Sequence, residues 1–95
     1  MMKIALLYTM GSCPFCTEIK GMLKENNVKY IERDIDEHNK EYGDFVKKTK
    51  NDYLPAFSIL TVNEKKEILN VEYVLPDDNF KDLNEAVDIV KSKLL

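Results

Sequence analysis

The segment Ile4-Ala5-Leu6-Leu7-Tyr8-Thr9 is apolar at nearly every position and stops at Gly11-Ser12. A run of this kind fits a strand buried on both faces of a sheet, since a half-exposed strand alternates. Pro14 follows, and proline suits the first turn of a helix, where its missing N–H costs nothing. A doubly buried strand handing over directly to a helix points to an α/β layout with helices on both faces of the sheet.

The rest of the chain continues that alternation. From Phe15 to about Glu25 the apolar residues Ile19, Met22 and Leu23 recur at helical spacing, and Asn26-Asn27 ends the run. Val28 to Ile35 mostly alternates and reads as a second strand. Asp36 to Lys50 reads as a second helix, with Tyr42, Phe45, Val46 and Thr49 inward and acids near its start. Asn51 to Pro55 is turn-rich. Ala56–Val62 and Lys66–Tyr73 read as a hairpin across Asn63-Glu64-Lys65. Pro76-Asp77-Asp78 then precedes a helix carrying Phe80, Leu83, Val87, Val90 and Leu94. The predicted order is β-α-β-α-β-β-α: a four-stranded mixed sheet flanked by three helices, its strand–helix–strand units parallel and its hairpin antiparallel. With 95 residues, 44% of them hydrophobic, the expectation is one domain over residues 1–95.

A formal charge of −3, with lysines scattered among acids, argues against nucleic acid as a partner. No apolar run approaches the ~20 residues of a membrane span. Met1-Met2-Lys3 leads straight into the first strand without a small-residue cleavage site, so a cytoplasmic location is expected. In that compartment a closely spaced cysteine pair is catalytic or metal-binding more often than a structural staple.

The chain has two cysteines, in Cys13-Pro14-Phe15-Cys16. This spacing suits dithiol–disulfide exchange, in which one thiolate attacks and the other resolves the mixed disulfide. Cys13 lies on the N-terminal side of the helix, where unsatisfied N–H groups favour a thiolate, so it is the expected nucleophile. Cys16, about a turn further in, is the expected resolving thiol. The reactive end of such a sheet is the carboxyl end of its strands, and Cys13 falls just beyond the first one. Lys20 either adds positive charge near the thiols or is a solvated helix lysine. A closed zinc site needs about four ligands, and this chain offers two cysteines and His38, so no metal is expected. His38 reads as an exposed residue at a helix start. Pro55 either begins an edge strand or follows a cis peptide bond; a cis bond would leave the Leu54 N–H and C=O free to pair with an extended peptide.

Tyr8-Thr9, Cys13-Pro14-Phe15-Cys16 with Lys20, Tyr30 to Asp36, and Leu54-Pro55-Ala56-Phe57 together resemble a glutaredoxin, with Phe15 where the family's motif usually has tyrosine. The resemblance implies a thioredoxin-like fold, Cys13 as nucleophile, Cys16 as resolver and a cis Pro55. It also implies glutathione as co-substrate, held along a groove in which Phe15, Leu54, Pro55, Asp77, Asp78 and Lys20 are the candidate residues. Disulfide-containing proteins would be the partners, and the protein would act as a monomer. Two positions depart from the family pattern. Met10 stands where a lysine usually pairs with a glutathione carboxylate, and Val74-Leu75-Pro76 replaces a Gly-Gly pair before the last helix. Losing one charge-assisted hydrogen bond removes ~1.5–3 kcal/mol of binding, which Lys20, Lys47, Lys48 or Lys50 would have to replace. The alternative is a redoxin recharged by thioredoxin reductase that serves a protein such as ribonucleotide reductase. A dimer holding a 2Fe–2S cluster is a further alternative, against which the second cysteine argues.

Overall fold

The computed structural model describes residues Met1–Leu95. It contains strand β1 (Met2–Thr9), helix α1 (Pro14–Glu25), β2 (Ile31–Asp34), α2 (Asn39–Thr49), β3 (Ala56–Val62), β4 (Ile68–Val74) and α3 (Leu83–Leu94). The sheet order is β2-β1-β3-β4. β1 pairs parallel with β2 from Leu6 opposite Ile31 to Thr9 opposite Asp34, and antiparallel with β3 from Met2 opposite Val62 to Tyr8 opposite Ala56. β3 and β4 form the antiparallel hairpin. The predicted order and mixed pairing are therefore those observed.

β1 is central, and its side chains divide between two layers. Ala5 and Leu7 join Phe57, Ile59 and Val74 beneath α1 and α3, where Ile19, Leu23, Ala86, Val87 and Val90 complete a core cluster. Tyr8 points the other way and packs with Phe45 of α2, Ala56 and Leu75. A period of two on a doubly covered strand explains why the run shows no alternation.

The element ends differ from the sequence reading for local reasons. β2 begins at Ile31 rather than Val28 because Val28 closes α1. Its N–H bonds the Leu23 carbonyl at 2.9 Å while the Asn27 N–H bonds that of Lys24 at 3.1 Å. With Asn27 at φ 57°, this is the paired-bond helix stop known as a Schellman motif, and Val28 is buried beside it. Further on, the Asp34 carboxylate accepts from the backbone N–H groups of Asp36 (2.9 Å) and Glu37 (3.4 Å). That turn delays α2 to Asn39. His38 is its N-cap and is half-buried, without a side-chain capping bond, where an exposed residue was expected. In the hairpin, Asn63 Oδ1 accepts from the N–H groups of Lys65 (2.9 Å) and Glu67 (3.0 Å), so β4 starts at Ile68 instead of Lys66.

The largest shift precedes α3. Leu75 to Phe80 form a compact loop in which Asn79 Oδ1 accepts the Leu75 N–H at 2.8 Å and the Asp77 N–H bonds the Phe80 carbonyl at 2.9 Å. Phe80 drops into the core from this loop, not from the helix. The helix opens instead on Asp82, which accepts the Glu85 N–H at 2.9 Å while Glu85 accepts that of Lys81 at 2.8 Å. This reciprocal pair resembles a capping box and fixes where α3 begins.

Candidate active site

At the carboxyl end of β1 the chain turns through Met10, Gly11 and Ser12, and the Cys13 N–H bonds the Met10 carbonyl at 3.2 Å. Cys13 has extended backbone angles and is the N-cap of α1, with Pro14 just inside the helix. Its Sγ accepts a hydrogen bond from the Cys16 N–H at 3.1 Å. The two cysteines are joined as a disulfide with their Cα atoms 5.2 Å apart. Cys13 is 9% exposed and Cys16 1%, so Cys13 is the more accessible of two largely buried cysteines. A helix N-terminus with an N–H aimed at the outer sulfur favours a thiolate there over a neutral thiol.

Beside the pair lies a groove of about 510 Å³ between α1, the Leu54-Pro55 segment and the loop leading into α3. The Leu54–Pro55 peptide is cis. Neither the N–H nor the C=O of Leu54 has a hydrogen-bond partner within the chain. Phe15, 61% exposed, and Tyr53, 66% exposed, give the groove aromatic surface, and Phe80 and Leu83 extend its apolar wall.

Of the residues singled out in the sequence, the fold brings Phe15, Leu54, Pro55 and Asp77 to this groove. Asp77 sits there with φ 67°, in the left-handed region that Asp tolerates better than most residues. Asp78 is exposed and does not line the groove. Lys20 is engaged elsewhere. Its Nζ lies 3.1 Å from Glu32 Oε2 on β2, and the same oxygen accepts a 2.6 Å hydrogen bond from the buried Thr9 hydroxyl. The Thr9 bond, aided by Lys20, holds the Glu32 carboxyl below its ordinary range. Met10 is 37% exposed at the end of β1. No group of three or more His, Cys, Asp or Glu side chains is arranged to hold a metal ion. No helix is long and apolar enough to cross a membrane.

Sequence reasoning missed Glu18, Tyr53, Lys81 and Asp82 as groove residues. Asp82 carried a usable signal, because Asp82-x-x-Glu85 before an apolar helix run is a helix-start pattern. Glu18 and Tyr53 gave none, since only the folded chain brings α1, Tyr53 and the α3 approach together.

A four-stranded mixed sheet with three helices, carrying a two-residue-spaced disulfide at the head of its first helix, defines a thioredoxin-like fold with a dithiol–disulfide redox centre. Known structures agree. A protein described as a malarial protein aligns over 100% of both chains with a TM-score of 0.53 at 18% identity. A thioredoxin from Thermus thermophilus covers 97% of this chain and 73% of its own, with a TM-score of 0.52 at 12% identity. A mutant of the thioredoxin-like protein BC3987 reaches a TM-score of 0.52 at 22% identity, over 76% of this chain and 84% of its own.

The sequence narrows the class. The family model described as glutaredoxin matches residues 5–59, which take in most of the first strand, both cysteines and the Leu54-Pro55 segment. The chain belongs to the glutaredoxin family, a family of thiol–disulfide oxidoreductases. It is similar to the proteins named Glutaredoxin 1 of Rickettsia felis and Rickettsia conorii, each 38% identical over 45 residues. That match spans 46% of this chain and 44% of each relative, less than half of their length.

Proposed function

We propose that this chain transfers two electrons from its Cys13/Cys16 dithiol to disulfides in proteins or in glutathione mixed disulfides. The observation that carries the reading is Cys13 Sγ at the head of α1 with the Cys16 N–H aimed at it, joined through Phe15 to a groove that Leu54, with unpaired backbone groups, also lines. In the reduced form the Cys13 thiolate attacks one sulfur of the substrate disulfide. A new S–S bond joins Cys13 to that sulfur, and the other substrate sulfur leaves as a thiolate that takes up a proton. Cys16, once deprotonated, attacks Cys13 Sγ, forms the internal disulfide and releases the second substrate thiol. The substrate gains two electrons and two protons, and the protein is left in the disulfide state seen here.

Two molecules of glutathione reverse the cycle, each losing its thiol proton and one electron as they become glutathione disulfide. The Leu54 N–H and C=O suit the cysteinyl backbone of the tripeptide, with Phe15, Pro55 and Asp77 around it. Asp78 and Lys20 belong to this proposed site only through side-chain movement, Lys20 after release from Glu32. A reducing compartment such as the cytoplasm suits the chemistry.

Met10 favours a second reading. It gives the end of β1 an exposed apolar side chain where a lysine would hold a carboxylate, which fits recharging by thioredoxin reductase. The test is turnover of a glutathione mixed disulfide with glutathione and glutathione reductase, run beside thioredoxin reductase. Glutathione-dependent turnover supports the first reading, and turnover with thioredoxin reductase alone supports the second. Cys13→Ser is expected to abolish activity in either assay, whereas Cys16→Ser retains part of the glutathione-mixed-disulfide activity. Equal loss in both variants would overturn the assignment of roles.

A further inference from the structure

The groove beside Cys13 carries more negative than positive charge. Glu18, Asp77 and Asp82 line it against a single ammonium, that of Lys81. The ion pairs of the molecule lie elsewhere, at Lys20–Glu32, Arg33–Glu41 and Lys93–Glu72, so neither Glu18 nor Asp77 is held in a direct ion pair, and Lys81 alone offsets the three carboxylates of the groove. One wall is α1 and the other is the loop before α3, which places the two carboxylates on opposite sides of the same channel. Its lining is partly apolar and aromatic, and the unpaired Leu54 N–H and C=O offer one strand-like pairing site in the same groove as Phe15, the residue between the two cysteines.

Resting on the exchange reading above, we infer that the preferred substrate is an extended polypeptide segment whose reactive cysteine is flanked by basic side chains. The cysteine sulfur meets Cys13 Sγ while its backbone pairs with Leu54. A neighbouring apolar side chain covers Phe15 and Tyr53, and a lysine or arginine within a few residues settles between Glu18 and Asp77. Free glutathione brings two carboxylates and one ammonium, a net negative charge, into a channel that is already net negative. Charge complementarity therefore selects the basic polypeptide over the tripeptide, acting mainly on the association rate.

The experiment uses the reduced 95-residue chain and short synthetic peptides bearing one cysteine in mixed disulfide with a chromogenic thiol, flanked by lysines, by alanines or by glutamates. Release of the chromophore is followed in single turnover. The lysine-flanked peptide is expected to react on the order of tenfold faster than the glutamate-flanked one at low ionic strength, a scale set by two partly exposed charge pairs. Raising the salt should compress that ratio. Glu18→Lys should bring the ratio close to one or invert it, and Glu18→Gln with Asp77→Asn should reduce it; a ratio within one variant does not depend on how much of it folds. Equal rates for the three peptides, or a ratio indifferent to salt, would overturn the docking proposal and leave the exchange reading standing. Failure to reduce any peptide, the alanine-flanked one included, would overturn both.

Discussion

The two faces of the sheet are built differently. Beneath α1 and α3 twelve buried residues form one cluster, with Leu7, Ile19, Leu23, Phe57, Ile59, Val74 and Val90 all at 0% exposure. Beneath α2 the buried cluster has four residues, and its contacts are largely aromatic. Tyr8 and Phe45 lie 4.4 Å apart between centroids, and Phe45 meets Tyr73 edge-on at 5.7 Å. Polar groups intrude on this second face. Buried Ser58 faces it, and Arg33 Nε and Glu41 Oε2 are buried without hydrogen-bond partners. α2 leaves a shallow groove of about 350 Å³ floored by Leu6, Leu60 and Val71. The first face is held by close-packed volume and carries α1, hence the cysteines. The second is held by ring contacts and polar pairs, and it carries no part of the disulfide.

The sharpest way to break this contrast is to delete a ring from each face. Phe57→Ala is expected to lose ~4 kcal/mol in urea unfolding, near the middle of the range for buried aromatic deletions. Phe45→Ala, beside an open groove that lets neighbours relax into the space, should lose ~2–3 kcal/mol. Equal losses would show the two faces to be equally tight.

Tyr8→Phe sharpens the comparison at the polar level. Burial pushes the Tyr8 hydroxyl from its ordinary 10.0 up to about 12. The folded state therefore holds this proton more tightly than the unfolded chain. Its contribution is fully present below pH 10 and is lost as pH rises toward about 12. Unfolding midpoints measured across that window should fall more steeply for the wild type than for Tyr8→Phe. Matching alkaline limbs would refute the assignment.

The smallest effect belongs to Glu32→Gln, at the edge shared by α1 and β2. The Glu32 carboxyl is held below 4.5, so its stabilisation is present above that value and lost as acid protonates it. Its side chain is 40% exposed, and the change should cost only ~0.5 kcal/mol near pH 7, appearing as a shallower acid limb in the variant.

What the sequence disclosed followed the range of the interaction. The Cys13/Cys16 spacing, Pro14 and the apolar run Ile4–Thr9 act within a few residues, and the fold and its redox pair followed from them. Val28 looked like a strand residue because it is apolar, but its N–H is committed to Leu23. Phe80 fitted a helical period by coincidence of spacing and reaches the core from a loop. Of the neighbours Asp77 and Asp78 it is Asp77, in a left-handed turn, that lines the groove, while Asp78 lies outside it. The ion pair that occupies Lys20 crosses from α1 to β2, a distance in sequence that no local pattern reports.

The strand order has a consequence for the chain as it is made. β1 pairs with β2 over Leu6–Thr9, but its other edge is closed only by Ala56–Val62. A ribosome adding ~5–20 residues per second therefore takes a few seconds to pass from Asp34 to Val62. Throughout that interval the central strand has a native partner available on one side at most, and α1 lacks the α3 surface on which it later rests. The thiols of Cys13 and Cys16 are synthesised early and sheltered late. The pair is thus open to oxidation before the layers that bury it are in place.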